Sequence, residues 1–501
     1  MWNILSSEVA ANVEALNYVV YLLQSGLGNL ASYLAAHVLL CLLPAFFIAG
    51  ALTALVPKEA VTRFLGRNTP KYVSYPAAAL AGSVLAVCSC TIVPLFAGIY
   101  RKGAGLGPAM TFLFFAPAGN ILALAYTGVA LGGDIALARI ILSVTFGIGI
   151  GMIMALIFSK DDAEHDRQTS ETEGKTALQR KTWVFLLLLV VLLIAGTLKV
   201  GLLTNSYATI TLPVSGMDRF QNFLHQLVPF DASKGEEGVS AQGAILIGLL
   251  ALIALSAWRG LGKVDQGYNR WTWVSLILIA LTFITASAGW VPHAGGLDIL
   301  LTGKMIGIAL AMAAIAVVAW KAFESYEIQE WLWETWRFVR QIFPLLIVGV
   351  FVVGIVRRLI QPEWIQTLAG TNTFLGAFAG VVFGVFMYFP TLVEVPIAKM
   401  FLQLGMHRGP LLAYLMADPE LSLQSILITA KIIGKTKAWT YVALVAVFST
   451  LSGLIYGAWV DGASAWVLLG YLAASIAGLA VVLTVIDRRN RRTAAAAHAS
   501  E

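Results

Sequence analysis

Two thiols stand one residue apart in "AVCSCTIVPLF", at Cys88 and Cys90. In a regular helix such neighbours point to different faces, whereas in a turn or an unwound stretch both can reach one soft ion such as As(III), Cu(I) or Zn(II). Pro94 follows, and a half-helix starting near Thr91 would turn its positive N-terminal end toward a thiolate or an anionic solute. The plain alternative is packing, since free cysteine is commonly buried and inert. Cys41, alone in an apolar run, is read that way. Carboxylates form the second set. Glu394 lies two residues before Pro396 in "PTLVEVPIAKM", and Asp418 and Glu420 flank Pro419 in "ADPELS". Ionisable groups inside apolar stretches are expensive, so they read as proton carriers or cation ligands unless Lys399 or a helix end satisfies them.

The elements that must position these residues are set by composition. A chain of 501 residues with 59% hydrophobic content, 12% charged residues and a mean hydropathy of +0.81 carries more apolar surface than one soluble core can hide. Runs such as "TWVFLLLLVVLLIAGTLKVGLL" from Thr182 are continuously apolar, as spanning helices are and barrel strands are not. The expected class is therefore all-α and polytopic. The N-terminal residues show no basic start followed by a cleavage site, which predicts insertion without a removable signal peptide and, for a bacterial chain, an inner-membrane location. Three cysteines cannot build a disulfide framework, and a net charge of +6 reads as membrane orientation rather than nucleic-acid binding. His37 and His293 stand apart from other ligand types, and "IIGKTKAW" lacks both the first glycine and the strand of a phosphate loop. No cofactor is expected, nor an ATPase.

The chain repeats itself at a shift of 302 residues. Gly82, Pro94, Gly103, Gly107, Pro108 and Pro117 fall on Gly384, Pro396, Gly405, Gly409, Pro410 and Pro419. Shared composition alone would have matched Leu and Ala instead. The boundaries predicted are a first copy over 1–158, a loop and four connecting helices over 159–323, a second copy over 324–460, and a final helix with a basic tail over 461–501. Segments from Glu14 and from Tyr326 are expected as interfacial helices feeding the first span of each copy. Lys58, Arg63, Arg67 and Lys71 precede the Cys-containing segment, and Arg101 and Lys102 follow it, so both its ends belong in the cytoplasm and it is a re-entrant hairpin. Extending that assignment gives about 11 crossings plus two hairpins, with the N-terminus outside and the C-terminus cytoplasmic. Arg357 and Arg358 alone land on the wrong side. An odd number of crossings between the copies makes them inverted, the plan of many secondary transporters.

The copies have diverged at the chemistry. Pro390 and Leu392 replace Cys88 and Cys90, while Ala116, Ala118 and Asn120 stand where the second copy has Asp418, Glu420 and Ser422. "CSCTIVPLFAGIYRKGAGLGPAMTFLFFAPAGNILAL" and "PTLVEVPIAKMFLQLGMHRGPLLAYLMADPELSLQS" resemble the two signature regions of the predicted bacterial permease family of YraQ-type proteins and arsenical efflux permeases. The resemblance covers residues 40–130 and 340–460, with Asp418 and Gln424 departing from the Gly and Pro expected there. It implies a multi-pass inner-membrane permease, with efflux of trivalent arsenicals or metals as the best-known activity.

The function expected is a permease rather than an enzyme, proton-coupled, exporting a thiophilic metal or metalloid or a small anionic solute. Cys88, Cys90, Pro94, Pro117, Asn120, Pro396 and Pro419 are its expected solute site, with Cys88 and Cys90 as metal ligands and Glu394, Asp418 and Glu420 as proton carriers. A passive channel and a membrane thiol oxidoreductase using the Cys pair are the alternatives, although neither haem-ligating His pairs nor partner cysteines accompany the pair. Expected partners are the bilayer and a small solute or ion, with homo-oligomerisation left open.

Overall fold

A computed structural model of the chain describes residues 2–36, 40, 42–85, 89–170, 179–197, 201–214, 216–228, 238–293, 296–359, 362–386 and 394–464, with short stretches between 466 and 478. Along the chain, α1 (Trp2–Ala36) and α2 (Leu43–Leu55) come first. They are followed by α3 (Lys58–Leu65), α4 (Lys71–Leu85), α5 (Ser89–Arg101), α6 (Leu106–Ala118), α7 (Ile121–Leu131) and α8 (Gly133–Ile157). Next come α9 (Ser159–Ser170), α10 (Arg180–Thr197), α11 (Gly201–Thr204), β1 (Ser206–Leu212), α12 (Met217–Leu227), α13 (Ala241–Arg259), α14 (Arg270–Ser287), β2 (Gly289–His293), β3 (Gly296–Thr302), α15 (Gly303–Ala322) and α16 (Ser325–Leu359). The chain continues with α17 (Pro362–Ala369), α18 (Phe374–Phe386), α19 (Glu394–Gln403), α20 (Arg408–Ala417), α21 (Leu423–Ile433) and α22 (Lys435–Val460). Among the described residues eight helical stretches are long and apolar enough to cross a membrane, and shorter apolar helices accompany them. The protein is an all-α, polytopic membrane protein.

The chain packs as two compact units, residues 1–48 with 184–361 and residues 49–183 with 362–501. In the first unit α1 lies along α16, where Gly26 and Gly354 allow close approach and the Asn29 side-chain amide donates to the Val350 carbonyl at 2.8 Å. The segment from Tyr326 does not form a separate interfacial helix. It runs unbroken into the following span as one 35-residue helix with Pro344 inside. A three-stranded antiparallel sheet of order β1-β3-β2 joins the loops of this unit, a feature the sequence reading did not anticipate.

The second unit contains residues 49–158 and 362–460 of the two expected copies, and the first unit holds the remainder of each. Their helices keep the shift: α6, α7 and α8 fall on α20, α21 and α22. The turn glycines keep it too, Gly103 and Gly405 having φ of 88° and 91°, a left-handed backbone that L side chains rarely adopt. In each copy the start and end of the segment containing the short helix pair meet. The Gly105 amide donates to the Leu65 carbonyl at 2.8 Å, and the His407 amide to the Ala369 carbonyl at 2.9 Å. A segment whose two ends hydrogen-bond to one another enters and leaves on one side, so α4–α5 and α18–α19 are re-entrant hairpins. Residues 86–88 and 387–393, between the helices of each pair, lie outside the described residues.

The two copies run opposite ways. Asp134, in the first turn of α8, accepts a hydrogen bond from Tyr456 near the end of α22 at 2.8 Å, and Asp161, just past the end of α8, pairs with Lys437 at the start of α22 at 3.2 Å. Halfway along, Phe146 touches Phe448 with ring centroids 4.8 Å apart, and these two residues are each other's equivalents at the 302 shift. A residue in contact with its own counterpart marks a two-fold axis. Because α8 and α22 are both spans, that axis lies across them and the repeats are inverted. The same exchange seats α19 on α7 and α5 on α21.

Candidate functional site

Two breaks in the second unit's spans place the site. The first comes after Pro117, where α6 ends, Gly119 and Asn120 leave the helical path, and α7 restarts. Asn120 starts it by accepting from the Ala123 amide at 2.8 Å while donating to the Pro117 carbonyl at 3.2 Å. Both polar ends of Asn120 are thereby held in a local cap. The second break, at Asp418–Leu421, is closed by Ser422, which accepts from the Ser425 amide at 3.3 Å. At each break the freed backbone and polar side chains must be satisfied by protein or water, because lipid cannot do it.

Across these breaks lies a buried polar cluster built by both copies. Arg139 of α8 is fully buried and fans its guanidinium three ways: Nε to the Ala118 carbonyl at 3.2 Å, one terminal nitrogen to the Thr127 hydroxyl at 3.1 Å, and the other to Glu394 Oε1 at 2.6 Å. Glu394, the first residue of α19, has no exposed surface, and its Oε2 accepts no hydrogen bond. Glu420 takes a hydrogen bond from the Tyr441 hydroxyl of α22 at 2.7 Å. Asp418 and Gln424 are fully buried in the same junction, and neither amide atom of Gln424 is hydrogen-bonded. Ser143 of α8 reaches the Met416 sulfur of α20 at 3.5 Å. Among the described residues the inventory is three buried carboxylates against one buried guanidinium, an imbalance that protons or bound cations must offset.

The three carboxylates singled out from sequence come together here. Glu394 pairs with Arg139 rather than with Lys399, which is exposed. Pro117 and Pro419 lie buried at the two breaks, and Pro94 lies buried inside α5. Pro396 is exposed on the other side of α19. Cys90 sits in the first turn of α5, and Cys88 lies outside the described residues. Among the described residues no group of three or more His, Cys, Asp or Glu side chains is arranged to hold a metal ion.

Sequence reasoning missed Arg139, Thr127 and Tyr441, and singled out Gln424 only as a departure from an expected Pro. The repeat itself held the signal: Arg139 and Tyr441 are equivalents at the 302 shift, as are Ala118 and Glu420, and Thr127 and Thr429. One helix position therefore reaches for the same junction position in both copies. Elsewhere, an apolar recess of about 450 Å³ in the first unit, lined by Trp273, Phe283, Trp331 and Leu332 among others, contains no carboxylate or basic group.

Each end of the α8–α22 pair is closed by its own polar set. At one, Arg408 binds Asp134 at 2.8 Å beside Tyr456. At the other, the Leu106 amide donates to Asp162 at 2.8 Å, Arg67 stands 3.7 Å from the same carboxylate, and Lys437 pairs with Asp161. Burial raises the Asp162 carboxyl above its ordinary range, while the Leu106 amide and Arg67 pull it back down.

Inverted copies, broken spans and an ionisable centre sealed at both ends define a membrane permease. The chain belongs to the predicted permease family ArsP_1, which matches residues 25–458. The UPF0718 protein MJ0584 of Methanocaldococcus jannaschii is 31% identical over 448 residues, covering 89% of this chain and 98% of that one. The UPF0718 protein YraQ of Escherichia coli is 32% identical over 122 residues, 24% of this chain and 34% of that one. No solved structure matches the chain.

Proposed function

We propose that the protein is a proton-coupled secondary transporter of the inner membrane, N-terminus outside and C-terminus cytoplasmic, exporting a thiophilic metal or metalloid or a small anionic solute. The observation that carries this reading is the excess of buried carboxylates over buried cations at the two helix breaks. Protons arriving from outside neutralise Glu394, Asp418 and Glu420; their release to the cytoplasm accompanies exit of the solute. When Glu394 takes a proton its hold on Arg139 weakens, and the freed guanidinium is available to a solute oxygen. Proton loading and solute handling are linked through that one contact. Cys88 and Cys90 would supply soft ligands.

The test uses full-length protein in liposomes enclosing a pH-sensitive dye, with arsenite, Cu(I), Zn(II) and sulfur oxyanions offered in turn. Solute-dependent proton movement that Glu394→Gln removes supports the reading; solute flux with no proton movement, unaltered by that substitution, refutes the coupling. Cys88→Ser with Cys90→Ser should abolish movement of a soft solute and leave an oxyanion's unchanged. Counterflow separates the carrier from a channel, which would show none.

A further inference from the structure

Beside the α20–α21 junction lies a cavity of about 10 Å³, room for a single water molecule. Its wall includes Pro419, Glu420, Ser425, Thr429 and Tyr441, with the apolar Ile92, Val93 and Leu113 of the other copy. Glu420 is 5% exposed, and while its Oε2 is held by Tyr441, its Oε1 completes no hydrogen bond. The groups facing this carboxylate are Tyr441 from α22, Glu394 from α19, Arg139 from α8 and the Ala118 amide from α6, with Asp418 in the same junction. The one guanidinium among them is engaged by Glu394 at 2.6 Å, and Lys431 of α21 is exposed. Among the described residues facing Glu420, no cation other than Arg139 is present. In addition, α20 ends here, so the negative end of a half-helix adds to the same potential. Ser422 donates to the Ser425 oxygen at 2.7 Å, which keeps a second lone pair, and Thr429 adds another hydroxyl.

A water-sized space whose largely apolar wall is interrupted by a carboxylate and hydroxyl oxygens suits a small, hard cation; a proton needs no such room. We propose that this cavity is a sodium site, in which Glu420, Ser425 and Thr429 hold one Na⁺ that competes with a proton for Glu420. The inference deepens the carboxylate-centred reading above by naming the ion taken at Glu420, and it is independent of the solute.

The test is thermal unfolding of the purified full-length protein in NaCl, KCl and choline chloride at equal ionic strength, together with binding of radioactive sodium. NaCl should raise the melting temperature saturably where KCl and choline chloride do not, with an apparent affinity that falls as the pH is lowered. Ser425→Ala combined with Thr429→Val should weaken sodium binding ~tenfold or more, and Glu420→Gln should remove it. Unchanged melting of these variants in choline chloride shows that they fold. Identical melting in sodium and choline at every pH, or a sodium effect that survives all three substitutions, overturns the proposal. Since binding is read without transport, a failed permease reading would leave sodium binding intact, whereas a failed sodium reading would leave proton-coupled flux intact.

Discussion

Removing Arg139 tests whether the buried pair ties the two copies together. In Arg139→Met the Glu394 carboxylate keeps its place at 0% exposure but loses the 2.6 Å contact, and the Thr127 hydroxyl and Ala118 carbonyl lose their donors. Truncating one partner of a buried ion pair costs about 3–5 kcal/mol, chiefly because the other charge is left buried and uncompensated. Glu394→Met strands the guanidinium in turn, and its three-way hydrogen bonding softens the loss to about 3 kcal/mol. The double variant Arg139→Met with Glu394→Met leaves no buried charge at this point, so it should be more stable than either single variant by about 2 kcal/mol or more. The assay is reversible unfolding in mixed micelles, followed by tryptophan fluorescence and read as a double-mutant cycle. If the double variant loses the sum of the two single losses, the pair contributes no coupling and the account of the cluster is wrong.

Three further outcomes follow from the geometry. Gly151→Ala would drive a methyl into the Thr111 hydroxyl and the Gly107 carbonyl where α6 crosses α8, and should destabilise the protein by about 1–3 kcal/mol in the same unfolding assay. Cysteines introduced at Gly133 and Lys435, at the starts of the equivalent helices α8 and α22, should react with an impermeant maleimide from opposite sides of the membrane; labelling from one side would refute the inversion. For Asp162, whose carboxyl is raised by burial, the folded state binds its proton more tightly than the unfolded chain does. Its contribution is therefore full below the ordinary carboxylate range and fades as the pH climbs through the raised value. Asp162→Asn should delete that decline from the stability curve, and an unaltered curve would refute the assignment.

Much of the architecture was legible because glycine and proline report backbone geometry directly. Gly103 and Gly405 need left-handed turns, and Pro117 and Pro419 stand at breaks, so their common shift exposed the repeat before any packing was known. Basic residues flanking the Cys segment gave the hairpin, which the meeting of its two ends in the structure bears out. Glu394, Asp418 and Glu420 stood out because a carboxylate in an apolar run is costly. The same argument applied to Arg139 in "GDIALARIILSVTFGIGIGMIMALI", but reading that span for its uninterrupted hydropathy hid the one charge inside it. Its pairing with Glu394, 255 residues away, is a product of tertiary packing that no local pattern encodes. Tyr441 carried no signal of its own, since tyrosine is ordinary in membrane helices. The small sheet was missed because "SYATITL" and "GLDILLT" are too short to stand out beside long apolar helices.

Were the two copies identical, the form open to the cytoplasm and the form open to the outside would be the same object turned over, with equal energies. Arg139 answers to Tyr441 and Ala118 to Glu420, so turning the molecule over exchanges a fixed positive charge for a neutral phenol and a methyl for an acid. In the proposed transport cycle the resting protein therefore favours one form before any gradient is applied, and the membrane voltage acts unequally on the two halves of that cycle.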